Sequence, residues 1–504
     1  MVQRQREARM SVYALIGKWN DGINELVWGM PMLLLLIGTG CWMTVRTGCF
    51  QLRYFRYWMS CTLGKIFTDR RVTRHTGDGQ TISQFQSLCT ALAASLGTGN
   101  IVGVSTALFL GGPGAVFWMW AAAFFGMMTK YAENVLGIYF RRKNARGEWC
   151  GGAMYYLEYG LGAQRGCAGI GRRLAVLFAA FCILASFGIG NMSQMNAAAQ
   201  NMEAAFGISP YISGSVLMGA AGLVIIGGMK RIALVAEKIV PVMAVLYIAG
   251  SVAVCAVNIE QAPAVWTAIV KGAFGIKAAG GGLAGYGIHA ALTWGMKRGV
   301  FSNEAGLGSS VMVHAGSNVK EPVQQGMWGI FEVFVDTVVM CSVTAFAVLS
   351  SGVMGIPDGS CGLCADGSAA VGAAFGTVFG KAGPAFVAAA ILMFAFSTVL
   401  GWCHYGTKAF EYLFGERQVH LYRAAFIGMI FWGAVMDLQL AWDLSDTFNG
   451  LMALPNLAGI LLLSPLVLRI TDNYKARRFC GKRVRPMLSA FSDIQEEQEH
   501  GKEV

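Results

Sequence analysis

The chain has 504 residues, of which 55% are hydrophobic and 13% charged, with 66 glycines. Soluble domains carry about 25% charged residues, and disorder requires low hydrophobicity with high charge density. Composition therefore argues against a soluble enzyme and a disordered chain, and for an all-α polytopic membrane protein. The net charge of +11 would suggest nucleic acid in a soluble protein. Here the basic residues cluster between apolar runs, which is the pattern of orientation in a lipid bilayer; no nucleic-acid partner is expected.

Eleven apolar segments are predicted in chain order, at 22–44, 85–110, 114–140, 174–205, 211–229, 235–257, 284–316, 323–352, 383–414, 420–437 and 442–470. A helix needs about 20 apolar residues to cross a membrane, so about eleven transmembrane helices are expected. The first is read as a retained helix, because 26–43 is too long for a signal-peptide core. The division is an N-terminal segment with one extra helix and a basic loop (1–84), a five-helix block (85–257), a loop (258–283), a second five-helix block (284–470) and a tail that is basic, then acidic (471–504).

Basic residues fill the loops 45–75 and 141–173, the turn with Lys230 and Arg231, and the tail from Lys475 to Arg485. Alternation places all four on one side, and the positive-inside rule makes that side cytoplasmic. The C-terminus is then cytoplasmic and the N-terminus outside, although the latter carries four basic residues itself. The aromatic and basic stretch from Arg46 to Phe67 suits either a membrane-interface segment or a packed inner loop.

Two segments are broken by glycine. One reads Leu96-Gly97-Thr98-Gly99-Asn100, and the other Asn303-Glu304-Ala305-Gly306-Leu307-Gly308. Each glycine costs a helix about 1 kcal/mol relative to alanine. Isolated glycines let helices pack closely in lipid. Clusters at mid-membrane depth instead permit unwinding, which frees backbone groups to bind substrate and ions. Gly97, Gly99, Gly306 and Gly308 each lie in the first helix of a five-helix block. An odd-numbered block must face the opposite way from its twin. Broken helices at matching places in inverted halves point to the central site of a secondary transporter.

Other polar residues can serve such a site. Gln194 lies in an apolar run, where an interhelical hydrogen bond is an equal reading. Thr398 and Trp402 share one helix face. A sodium ion needs several oxygens, and the hydroxyls of Ser397 and Thr398 are expected to join carbonyls freed near Ala93 and Leu96. Glu304 is expected to pair with Arg298 or Lys297, as an ion-coupling group or, preferably, a structural bridge. Lys130 with Glu133, and Lys408 with Glu411, read as structural pairs.

Most of the 13 cysteines sit in apolar runs. Cys361 and Cys364 form a loop CxxC, compatible with a surface disulfide, half a metal site or no role. The sequence contains no GxxxxGK[ST], HExxH or GxSxG pattern, so a pump or an enzyme is not expected, and no cofactor beyond a coupling ion. A membrane-embedded enzyme or a channel is the competing class.

Several runs resemble the alanine or glycine:cation symporter family. They are Thr90 to Val104, Gly111 to Trp120, Gly151 to Tyr156, Phe187 to Met192, Phe301 to Ser309, Phe396 to Trp402 and Asn449 to Asn456. The resemblance covers about residues 20 to 475, in order. It implies a LeuT-like five-plus-five inverted repeat with one extra N-terminal helix, and sodium-coupled uptake of small neutral amino acids into the cell across its membrane. It also implies a substrate site at Thr98, Gly99, Asn100, Gln194, Phe301, Thr398 and Trp402, and sodium at Ala93, Leu96, Ser397 and Thr398. Lys297 and the Cys403-His404 pair depart from the family pattern, as does the CxxC loop, which bears on substrate preference.

Overall fold

The computed structural model describes residues 17–75, 81–164, 166–275, 283–354, 367–436 and 439–500. Cys361 and Cys364 lie outside them. The fold is built almost wholly of helices. They are α1 (Gly17–Arg46), α2 (Gln84–Ser95), α3 (Val102–Gly111), α4 (Gly114–Tyr139) and α5 (Gly169–Phe206). After these come α6 (Pro210–Ile226), α7 (Gly228–Val257), α8 (Ala262–Phe274), α9 (Leu283–Asn303) and α10 (Val311–His314). The last are α11 (Pro322–Ser350), α12 (Gly367–Phe379), α13 (Ala382–Phe414), α14 (Val419–Val435), α15 (Gln439–Arg478) and α16 (Ser492–His500).

Among the described residues six helices are long and apolar enough to cross a membrane: α1, α5, α7, α11, α13 and the Leu444–Arg478 part of α15. Four of the other five predicted segments fall short for a visible reason, while the fifth, α4, is long enough but carries Lys130, Glu133 and Asn134. The segment at 85–110 is divided into α2 and α3, and that at 284–316 into α9 and α10. α6 and α14 have 17 residues each. Outward faces carry bare apolar side chains, such as Val242, Val245 and Val252 on α7, as lipid contact requires.

Three regions differ from the sequence reading. The expected loops 258–283 and 353–381 contain helices α8 and α12. The expected loop 141–173 holds a small antiparallel pair, β1 (Arg142–Lys143) and β2 (Trp149–Cys150), which apolar patterning cannot reveal because it is two residues long. The Arg46 to Phe67 stretch folds as short helical segments, packed on one side and exposed at Leu52, Phe55, Leu63 and Phe67 on the other. Phe50 and Trp58 are buried, and Trp58 Nε1 donates to Gln51 O at 2.9 Å, while Arg53 and Arg56 stay exposed.

α2 starts on a reciprocal cap: Gln86 N donates to Ser83 Oγ and Ser83 N to Gln86 Oε1, each at 3.1 Å. This satisfies two of the donors that every helix start leaves free. Just before it, Ile82 forms a parallel bridge with the chain after α10. Ile82 N donates to Gly316 O at 3.1 Å, and Asn318 N to Ile82 O at 3.0 Å.

Glycine also sets how closely α2 meets α13. A Cβ on Gly401 would lie 2.6 Å from Ala94 Cβ, 2.9 Å from Ala94 Cα and 3.0 Å from its nitrogen. The obstruction is backbone, so no side chain can swing aside. Overpacking of this kind costs about 1–3 kcal/mol. Gly401→Ala is expected to lower the Tm of the detergent-solubilised protein by several degrees; an unchanged Tm would show that the two helices do not cross this closely.

Candidate functional site

The first interruption follows Ser95. Leu96 leaves helical geometry (ψ 79°), Gly97 is extended (φ −120°, ψ −156°), and Thr98 to Asn100 form a single tight turn before α3. Two of the freed donors find side chains. Gly97 N donates to Asn100 Oδ1 and Thr98 N to Gln194 Oε1 on α5, both at 3.1 Å. The freed carbonyls of Ala93 and Leu96 face Thr398 Oγ1 on α13, at 3.1 and 3.4 Å.

The second interruption follows Asn303. Glu304 (φ 55°), Gly306 (φ 91°) and Gly308 (φ 72°) all take left-handed backbone. Glycine adopts it freely, whereas Glu304 does so at a cost of about 1–2 kcal/mol. One carboxyl oxygen organises this turn. Glu133 Oε1, from α4, accepts from Gly306 N at 3.0 Å, Gly308 N at 3.1 Å and Asn456 Nδ2 of α15 at 2.6 Å. Asn456 also donates to Gly306 O at 2.9 Å, and Tyr156 donates to Asn456 Oδ1.

Between the interruptions lies a small cavity. Gly97, Gly99, Gln194, Phe301, Glu304, Thr398 and Trp402 line it, together with Ala94, Ser95 and Ile189. Ser95 Oγ is buried without a hydrogen-bond partner, which leaves it free for a ligand. Trp402 is held in place: a Cβ on Gly190 would fall 2.4 Å from Trp402 Cβ, and the indole meets the Tyr405 ring edge-on at 5.4 Å. The walls are therefore rigid, and the free space between them is small, about 10 Å³, the room of about one water.

Other candidates lie elsewhere. The Asn100 amide turns away, donating to Ser302 Oγ at 2.8 Å and Asp336 Oδ1 at 2.9 Å. Ser302 donates to Asp336 Oδ2 at 2.8 Å. Ser397 Oγ donates back to Phe394 O at 2.9 Å and faces Met243. Gly306 and Gly308 contact Glu133 rather than the cavity.

Two expected pairings are corrected. Glu304 meets neither Arg298 nor Lys297; its left-handed backbone turns the carboxyl to Ser309 Oγ at 2.5 Å. Arg298 instead lies over the rings of Trp294 and Phe301, at 5.6 and 5.3 Å. Lys130 does not form its ion pair with Glu133. It reaches Glu332 of α11 at 3.3 Å and Ser310 at 2.9 Å, because Glu133 is committed to the second interruption. Glu332 in turn holds His314 of α10 at 2.8 Å. Lys408 and Glu411 do pair, at 2.9 Å. Ser95 and the cap on the second interruption were missed. Asp336 was marked in the sequence only as an acid in an apolar segment, a functional candidate by default, without its partners.

A model of the sodium:alanine symporter family matches residues 13–487. The chain belongs to this family. Similar proteins include the sodium/alanine symporter AgcS of Methanococcus maripaludis, 44% identical over 456 residues, which are 90% of this chain and 96% of that protein. A Bacillus subtilis protein named probable sodium/glutamine symporter GlnT is 37% identical over 461 residues, 91% of each chain. The solved manganese transporter of Eremococcus coleocola, bound to an aromatic bis-isothiourea compound, matches with a TM-score of 0.51 at 13% identity. That match covers 86% of this chain and 87% of that one, and it speaks to fold alone. The protein is thus a multi-pass membrane symporter of the sodium-coupled amino-acid class.

The Glu133 contact makes a direct test. Glu133→Ala leaves two buried backbone N–H groups without an acceptor, at about 1–3 kcal/mol each. Glu133→Gln keeps an acceptor oxygen. Thermal unfolding should show a large loss for the alanine variant and a smaller one for glutamine. Equal losses would mean that the carboxyl does not cap the turn.

Proposed function

We propose that the symporter carries alanine or glycine together with sodium into the cell by alternating access, on a LeuT-like five-plus-five inverted repeat preceded by α1, about eleven spans in all. One observation carries this reading: the Thr398 hydroxyl on α13 faces the two carbonyls that the first interruption frees, beside a small closed cavity. In this reading sodium is a transported ion held by Ala93 O, Leu96 O and Thr398 Oγ1. All are hard oxygen donors, which suits the ion. Ser397 adds a second hydroxyl if its rotamer turns.

The amino acid occupies the neighbouring cavity. Its carboxylate meets the N-terminal end of α3, where the helix dipole is positive, near Gly99 and the free Ser95 hydroxyl. Glu304, the acidic residue lining the cavity, faces the ammonium. Phe301 and Trp402 leave room for hydrogen or methyl. Sodium orders the first interruption, and so favours the conformation that the amino acid binds; that shared preference is the coupling. The basic loops support a cytoplasmic C-terminus by the positive-inside rule.

The test is uptake of labelled alanine into proteoliposomes with and without a sodium gradient, with glycine and glutamine as competitors. Wild-type protein should accumulate alanine only with the gradient, and glycine should compete better than glutamine. Thr398→Val, which keeps shape but removes the hydroxyl, should raise the sodium requirement at least about tenfold, the effect of losing roughly 1.4 kcal/mol of ion binding. Ser397→Ala should change it less. No gradient-driven accumulation of any small neutral amino acid would overturn the reading.

A further inference from the structure

The cavity needs a closure on the face away from the basic loops, and one ion pair is placed to provide it. Lys297 lies one helical turn before Phe301 on α9. Its ammonium is 3.2 Å from Asp446 Oδ2 on α15, with the two side chains 13% and 14% exposed. Both residues precede, by nine and ten positions, the residues Gly306 and Asn456 that meet at the second interruption. At about 1.5 Å per residue, Lys297 lies about 9 Å along α9 from its end at Asn303 and Asp446 about 15 Å along α15 from Asn456, both on the same side of that turn.

The extra helix braces the acidic partner. Trp28 Nε1 donates to Asp446 O at 2.8 Å, and Asn24 Nδ2 to Thr447 Oγ1 at 3.0 Å. The Lys297 ammonium lies 5.6 Å from the Trp28 ring and 5.8 Å from the Trp294 ring, where aromatic faces attract a cation. Asp446 Oδ1 has no partner, so the contact is a single bond rather than a saturated structural bridge.

We propose that Lys297 and Asp446 form the outer latch of the transport cavity, and that α1 holds the Asp446 side while α9 carries Lys297 and Phe301 away on opening. The inference rests on the alternating-access reading above. A largely buried ion pair at the cavity's edge suits a contact made and broken in every cycle: burial holds the pair while the gap is shut, and water entering on opening hydrates both separated charges, as it does not separated apolar surfaces. Arg298, one residue on, points to Trp294 and Phe301 instead and takes no part.

The test uses the full chain in proteoliposomes and reads saturation curves for labelled alanine at fixed sodium. Lys297→Met and Asp446→Asn remove the pair with little change in volume. Loss of the latch favours the outward-open form, so half-saturating external alanine should fall about two- to fivefold while the maximal rate falls about fivefold, the scale of one partly exposed ion pair. Lys297→Asp combined with Asp446→Lys should restore at least about half of the maximal rate, because the attraction depends on opposite charge and not on which helix carries it. Trp28→Phe, which removes one hydrogen bond and no charge, should shift both values in the same direction by less, and serves if the charge variants fail to fold. A half-saturation that stays constant or rises in the variants overturns the latch. Wild-type protein that does not accumulate alanine instead overturns the transport reading beneath it.

Discussion

The carboxyl of Glu133, gathering the N–H groups of Gly306 and Gly308 and the amide of Asn456, is the contact on which the rest of the site depends. In hydrocarbon there is no water to satisfy a backbone group that leaves its helix. An interruption at that depth persists only when side chains from neighbouring helices replace the lost hydrogen bonds. Glu133 does so for the second interruption. Gln194 and Asn100 do so for the first. Those two donors, Gly97 N and Thr98 N, are thus capped by amide oxygens, while the carbonyls of Ala93 and Leu96 accept from the Thr398 hydroxyl.

The few buried charges follow the same logic. Lys130, Glu332 and His314 form a chain from α4 through α11 to α10, and Ser87 of α2 lies 3.3 Å from His314 Nδ1. Removing one member of such a chain leaves its partner charged and unpaired in low dielectric, which costs several kcal/mol. Asp336 differs. Asn100, Ser302 and Thr337 donate to it, and no cation pairs with it among the described residues. It joins the first interruption to α9 and α11 through hydrogen bonds alone.

Much of this was legible from residue type and position. Glycine clusters in an apolar run announced both interruptions, because no other residue explains a repeated helix-breaking cost at that depth. Thr398, Trp402 and Gln194 were legible because polar or bulky groups in a lipid-buried segment demand a partner, whereas Phe301 came from the family resemblance. What stayed hidden depends on direction. Sequence spacing places Lys130 beside Glu133, but the interruption in another helix claims the carboxyl first. Ser397 and Thr398 are adjacent and chemically alike, and only the helix phase sends one toward Ala93 and the other toward Met243. Glu304 and Arg298 look like natural partners until the left-handed backbone at Glu304 swings them apart. Ser95 gave no sign at all, since its importance is the absence of a partner.

The parallel bridge at Ile82 bears on how many pieces can move. It ties the chain entering α2 to the chain leaving α10, and the Ser87–His314 contact adds a second tie one turn further in. The halves of the two broken helices nearest the basic loops are therefore riveted into one rigid lever. Displacing one of these halves means breaking those contacts or carrying the other half along.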